Sequence, residues 1–206
     1  EVFHKLFEQW YKNGDFNFDW LKDNAKQFYV AGIKKGRQIN WNNPYDKKQL
    51  FIKLLRLISN QIEIINKEKL IQKYYLTEAK FSTKEKNYNI IIKGFVDLIL
   101  FNSDKNELYI LDYKSQTNKN IDMEQLMYYA FGYRFIYKNL PADLSDIFPD
   151  FPDKLGIILP HFKTIEWRKI SKQILDKYIK NNLKPIISDV RETIASGNID
   201  YNKKCC

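Results

Sequence analysis

The chain has 206 residues, 44% of them apolar and 16% aromatic, with a formal net charge of +9. That length holds one well-packed domain, and this composition excludes an intrinsically disordered chain. No apolar run approaches the ~20 residues of a membrane-spanning helix and the start lacks a signal-peptide core, so a soluble, cytoplasmic protein is expected, its basic balance favouring a polyanionic partner.

Residues from Val2 to about Asn66 read as helical. Leu50, Leu54, Leu55, Ile58 and Ile62 recur at helical spacing after a turn at Asn43-Pro44. This region carries Lys34, Lys35, Arg37, Lys47 and Lys48, the candidate nucleic-acid contacts, followed by Lys53 and Arg56; Lys163, Arg168, Lys169 and Lys172 form a later basic group. From Lys73 to Ser115 the pattern changes to three strands, separated by polar turns at 84–87 and 102–106. Asp122 is placed to cap the next helix with Gln125 as its box partner, and Leu126, Tyr129, Ala130, Tyr133 and Tyr137 share one stripe of it. Asn139 to Asp153, with Pro141, Pro149 and Pro152, reads as a loop with room for one helical turn. Gly156 to Leu159 reads as a buried strand and Lys163 to Trp167 as its hairpin partner, which makes His161 a turn residue rather than a ligand. Ser171 opens a last helix that Pro185 interrupts and Gly197 ends. The order predicts an α/β (α+β) fold, a central mixed sheet flanked by helices with an N-terminal helical region. We read 1–206 as a single domain, divided into a helical part (1–70), a sheet core (73–170) and C-terminal helices with a tail (171–206).

Two stretches carry the chemistry. Gly94-Phe95-Val96-Asp97 and Leu111-Asp112-Tyr113-Lys114 each set an acid inside an apolar, β-favouring run, where a charge is costly unless compensated. Alternation puts Leu108, Ile110, Asp112 and Lys114 on one face of their strand. The first run reads as a strand over Asn89 to Phe101, although Asp97 by itself also reads as a strand end; Asp97 would stand beside Asp112 if the two strands are adjacent and antiparallel. Two carboxylates held together repel unless a proton or cation lies between them, and a hard divalent ion is the economical solution. By themselves, Asp112 and Lys114 also suit an exposed pair on a half-wet sheet, and Tyr129 suits core packing.

These residues resemble the PD-(D/E)xK nuclease superfamily, in particular its RecB-like branch. That branch carries a Gly-x-x-Asp strand, matched by Gly94 to Asp97, and an Asp/Glu-hydrophobic-Lys strand, matched by Asp112-Tyr113-Lys114. It follows them with a Gln-x-x-x-Tyr helix, matched by Gln125 to Tyr129. Its N-terminal helix bears a metal-binding His, a slot that His4 fits, and Glu78 stands where its first core strand carries a Glu. Asp112 in place of Glu and Ser115 in place of Thr depart from the pattern without upsetting it. The resemblance implies a restriction-endonuclease-like core and Mg²⁺- or Mn²⁺-dependent hydrolysis of DNA, with exonuclease action in DNA processing, repair or recombination. It implies His4, Asp97, Asp112 and the Tyr113 carbonyl as metal ligands, and Lys114, Glu78, Gln125 and Tyr129 as further catalytic residues. A helicase or other processing protein is the implied partner. Some members of the branch hold an iron–sulfur cluster on four cysteines; this chain has only Cys205 and Cys206, so no cluster is expected in it. The competing expectation is a catalytically inactive binding module docked on a larger helicase–nuclease, or in a phage or CRISPR assembly.

Overall fold

The computed structural model describes residues 2–14, 17–34, 44–85, 90–114 and 123–196, with side chains left aside at 2, 26, 28–34, 44–47, 85 and 194. Helix α1 (Val2–Asn13) forms because Phe3, Leu6, Phe7, Trp10 and Tyr11 recur at intervals of three and four; all five are buried. Helices α2 (Phe18–Lys34) and α3 (Pro44–Glu68) complete the N-terminal layer. Tyr75 pins the end of α1 to the sheet by donating its hydroxyl to the Tyr11 carbonyl at 2.7 Å.

The sheet has five strands in chain order: β1 (Tyr74–Glu85), β2 (Ile90–Asn102), β3 (Glu107–Tyr113), β4 (Lys154–Leu159) and β5 (Thr164–Lys169). All neighbours are antiparallel except β3 and β4, which run parallel because helix α4 (Met123–Lys138) lies between them in the chain. The mixed sheet is therefore as expected. A short helix α5 (Ala142–Ser145) occupies the proline-flanked loop. The sheet separates two apolar layers. Ile99, Phe101, Leu108, Ile110, Leu155 and Ile157 pack toward α4, whereas Leu98, Leu100, Tyr109, Leu111 and Tyr113 pack toward α1 and α3.

Two local readings change. The strand read over Asn89 to Phe101 is present as β2, but Asp97 does not end it: β2 continues to Asn102, because Leu98 to Phe101 are buried against the two layers and carry the pairing onward. Pro185 does not break the last helix. Ser171 caps α6 (Lys172–Tyr178) by accepting from the Ile174 N–H at 3.3 Å, and the helix runs through a wide π-type turn (Ile179–Leu183) into α7 (Lys184–Ala195). The wide turn lies where the proline ring would otherwise crowd the carbonyl four residues back.

Candidate active site

The β2–β3 ladder ends at the pairing of Leu98 with Leu111, and Asp97 and Asp112 are the residues that adjoin this last pair on the two strands. The Tyr113 N–H donates to Asp97 Oδ2 at 3.2 Å, and the Lys114 N–H donates to the Ile158 carbonyl at 3.0 Å, so the end of β3 is tied on both sides. Four side chains then close a ring. Lys114 Nζ lies 2.9 Å from Asp112 Oδ2 and also donates to Gln125 Oε1. Gln125 Nε2 donates to the Tyr129 hydroxyl at 2.6 Å, and that hydroxyl donates to Asp112 Oδ1 at 3.4 Å. Spacing makes the ring possible: residues two apart share a strand face, and residues four apart share a helix face. Asp112 is only 1% exposed, yet among the described residues its Oδ2 accepts no well-aligned hydrogen bond, and the Lys114 ammonium is the cation beside it.

Asp97 faces a different set of neighbours. His4 Nδ1, carried in by the buried stripe of α1, is 3.5 Å from Asp97 Oδ2, and its ring meets Tyr113 edge-on at 6.0 Å. On the other side, Thr77 pairs with Leu98 and Ala79 with Val96, which leaves Glu78 opposite Asp97. Glu78 has a φ of 48°, a left-handed conformation costing a non-glycine residue about 1–2 kcal/mol. Both strands lose one step of alternation at this pair. Leu76 and Ala79 pack toward the same core, as do Val96 and Ile99.

Burial first, and the Asp112 carboxylate second, push the Asp97 carboxyl up to about 7; Glu78 adds to the rise and the Tyr113 N–H opposes it. Burial is also the main reason the His4 pKa is lowered, with Asp112 pulling the other way. At neutral pH His4 is therefore a neutral imidazole, and its contact with Asp97 is not an ion pair. Burial, then the charges of Asp97 and Asp112, raise the Tyr129 pKa, which keeps the phenol a donor. Glu78 is raised by burial and Glu8, against Lys12 and Lys5.

Among the described residues, no group of three His, Cys, Asp or Glu side chains forms a ready-made metal cage. The donor chemistry nevertheless suits a hard divalent ion: abutting carboxylates, one holding a proton to about pH 7, a neutral imidazole, and a buried oxygen without a hydrogen bond.

Residues 1–204 match the family described as the PD-(D/E)XK nuclease superfamily. The chain belongs to this superfamily. Its fold is accordingly the restriction-endonuclease-like one that the sequence suggested, and the superfamily is one of nucleases that generally use divalent metals. A search of curated proteins finds no match. Among solved structures the chain is similar to the crystal structure of SSO0001, with 15% identity and a TM-score of 0.31, covering 68% of this chain and 66% of that one. No helix among the described residues is long and apolar enough to cross a membrane.

Of the residues singled out from the nuclease pattern, Asp97, Asp112, Lys114, Gln125, Tyr129, Tyr113 and His4 converge on one site. Glu78 lies beside Asp97 and outside the ring around Asp112. Lys48 is exposed on α3. Lys35, Arg37, Ser115, Asp122, Gly197, Cys205 and Cys206 lie outside the described residues, as do the side chains of Lys34 and Lys47. Two members of the later basic group are paired on the surface, Lys163 with Glu63 and Lys172 with Asp150. Sequence reading passed over Phe81 and Gly132. A Cβ on Gly94 would lie 2.8 Å from the Phe81 ring, and one on Gly132 would lie 2.3 Å from it. The glycine of the Gly-x-x-Asp motif thus makes room for a ring wedged between β2 and α4.

Proposed function

We propose that this chain is a metal-dependent deoxyribonuclease of the RecB-like branch, a single nuclease domain acting as an exonuclease. The closed ring of Lys114, Gln125, Tyr129 and Asp112, set against the Asp97–His4 contact, supports this reading. A surface pair of Asp and Lys would need neither a buried carboxylate nor two further side chains to hold it. In this reading Asp97, Asp112, His4 and the Tyr113 carbonyl hold Mg²⁺ or Mn²⁺. The bound ion would supply polarisation of the scissile phosphate and a lowered pKa for water. Lys114, fixed in direction by Gln125 Oε1, orients the attacking water and offsets charge developing on the phosphate. Gln125 and Tyr129 keep Lys114 and Asp112 in register, and Glu78 adds negative charge opposite Asp97. A helicase or other DNA-processing protein is the partner that the RecB-like reading implies.

The test is cleavage of end-labelled linear DNA and of a covalently closed circle, with Mn²⁺ or Mg²⁺ and with chelator. Loss of linear DNA from its ends, abolished by chelator and by Lys114→Gln, is expected. Cleavage of the closed circle would replace exonuclease with endonuclease. Cleavage that survives chelator would remove the metal from the mechanism, and cleavage that survives the Lys114 substitution would show that the active site lies elsewhere.

A further inference from the structure

Among the described residues, the outer half of the β1–β2 pair is covered on one face only. Toward α4, Phe81, Ile92 and Val96 are buried, Phe81 meets Tyr128 at 5.3 Å, and the Tyr128 hydroxyl donates to the Lys93 carbonyl at 3.0 Å. The opposite face holds Lys80, Ser82 and Lys84 of β1, paired in register with Phe95, Lys93 and Ile91 of β2, and every one of them is exposed. Phe95 is 49% exposed and Ile91 64%, and the Lys80 ammonium stands 5.5 Å from the centre of the Phe95 ring. These six side chains include three lysines and no acid. At a strand's rise, Lys80 to Lys84 spans about 13 Å. Inward, the same rows reach Glu78 and Asp97, where α1 begins to cover the sheet with His4.

We propose that this face binds the single-stranded part of a DNA substrate and leads it to the Asp97 site. This rests on the deoxyribonuclease reading above. The charge is complementary to a phosphate backbone, and an exposed aromatic ring beside a lysine is a stacking platform for a base. A duplex keeps its bases stacked on one another, so Phe95 discriminates in favour of an unpaired strand. The Phe95–Lys80 pair supplies stacking, and Lys84 and Lys93 track the backbone.

The test uses the full chain with Ca²⁺ in place of the catalytic ion, measuring binding of fluorescent oligo(dT) and of a duplex of equal length by anisotropy. Phe95→Ala should weaken oligo(dT) binding about tenfold and duplex binding far less, with Phe95→Trp restoring it. Lys84→Gln with Lys93→Gln should lower the slope of log affinity against log salt by about 0.7 per lysine. Circular dichroism and light scattering on each variant check folding and association state. Equal losses for strand and duplex would overturn the stacking role. Oligo(dT) binding unchanged in all the variants would overturn the track, while metal-dependent cleavage by the wild type would leave the nuclease reading standing. A dimer that dissociates in Phe95→Ala would reassign the face to self-association. A wild type that neither binds nor cuts DNA would remove the reading on which this one rests.

Discussion

Asp97→Asn separates the electrostatics of the site from its catalysis. In the metal-free protein Asp97 keeps its proton to about pH 7, because burial and Asp112 disfavour the anion. In the unfolded chain the same carboxyl titrates near its ordinary 3.8. Between those values the folded state binds more protons, so this group's contribution is complete below about pH 4 and is lost as pH rises through 7. The displacement from 3.8 to about 7 corresponds to about 4 kcal/mol. An asparagine has nearly the same shape, its side-chain oxygen can still accept from the Tyr113 N–H, and it carries no charge. The variant should therefore match the wild type near pH 4 and exceed it by up to about 4 kcal/mol at pH 8, both measured in chelator. His4, whose pKa burial lowers, contributes the opposite slope: its share is present above its ordinary value and lost as pH falls through its folded value. Glu78 adds to the Asp97 slope. Both residues stay in the two proteins, so the difference curve reports Asp97 together with its coupling to Asp112 and Glu78. Manganese should then raise wild-type stability most at high pH, by about 2.7 kcal/mol at a hundred times its Kd, and leave the variant nearly unaffected. Urea titrations followed by tryptophan fluorescence at pH 4 to 8, with and without Mn²⁺, measure this. A flat difference curve would show that neither burial nor Asp112 raises the Asp97 carboxyl.

Lys114→Ala should abolish cleavage and destabilise the metal-free protein by about 3 kcal/mol at neutral pH, because it strips the buried Asp112 carboxylate of its cation; an unchanged urea midpoint would refute the pairing. His4→Ala should weaken Mn²⁺ binding in calorimetry by more than about tenfold, the least that losing a supporting group of a metal shell costs, while leaving the metal-free melting temperature almost unchanged. Gly94→Ala should cost about 1–3 kcal/mol, because the new Cβ meets a ring backed by Gly132, and Phe81→Leu should relieve part of that loss in the double variant. DNA affinity of the wild type should fall steeply between low and moderate salt, and a flat response would argue against a nucleic-acid substrate.

The site was legible wherever short-range periodicity fixes geometry. Asp112 and Lys114 share a strand face, and Gln125 and Tyr129 share a helix face, whatever the rest of the chain does. The crossing of the two motifs needed only one antiparallel register. The Glu78–Asp97 break was not legible, because glutamate gives no compositional sign of a left-handed backbone and a paired loss of alternation in two strands looks ordinary in each. The reason for Gly94 was equally hidden, since it depends on Phe81, thirteen positions earlier, and on Gly132, far later. His4 reaches Asp97 only because the α1 stripe of Phe3, Phe7 and Trp10 docks in one rotation, which is a property of tertiary packing. The reading of Asp97 as a strand end failed for a related reason. An acid in an apolar run looks like a boundary, and here burial on both sides of the sheet carried the strand past it.

Helix α4 ties the chemistry to the hairpin. Gln125 and Tyr129 on one side of it hold Lys114 and Asp112. Tyr128 and the notch at Gly132 hold the Lys93 carbonyl and the Phe81 ring, which fix the outer hairpin. The strand that carries Lys93 reaches Asp97 four residues later, so both acids of the site are positioned from the same sixteen-residue helix. A shift of α4 against the sheet would move the Lys114 ring and the hairpin face together. That makes the Phe81 wedge more than core filling. Its ring stands between Gly94 of β2 and Gly132 of α4, so a smaller side chain there leaves space at the contact between that helix and that strand.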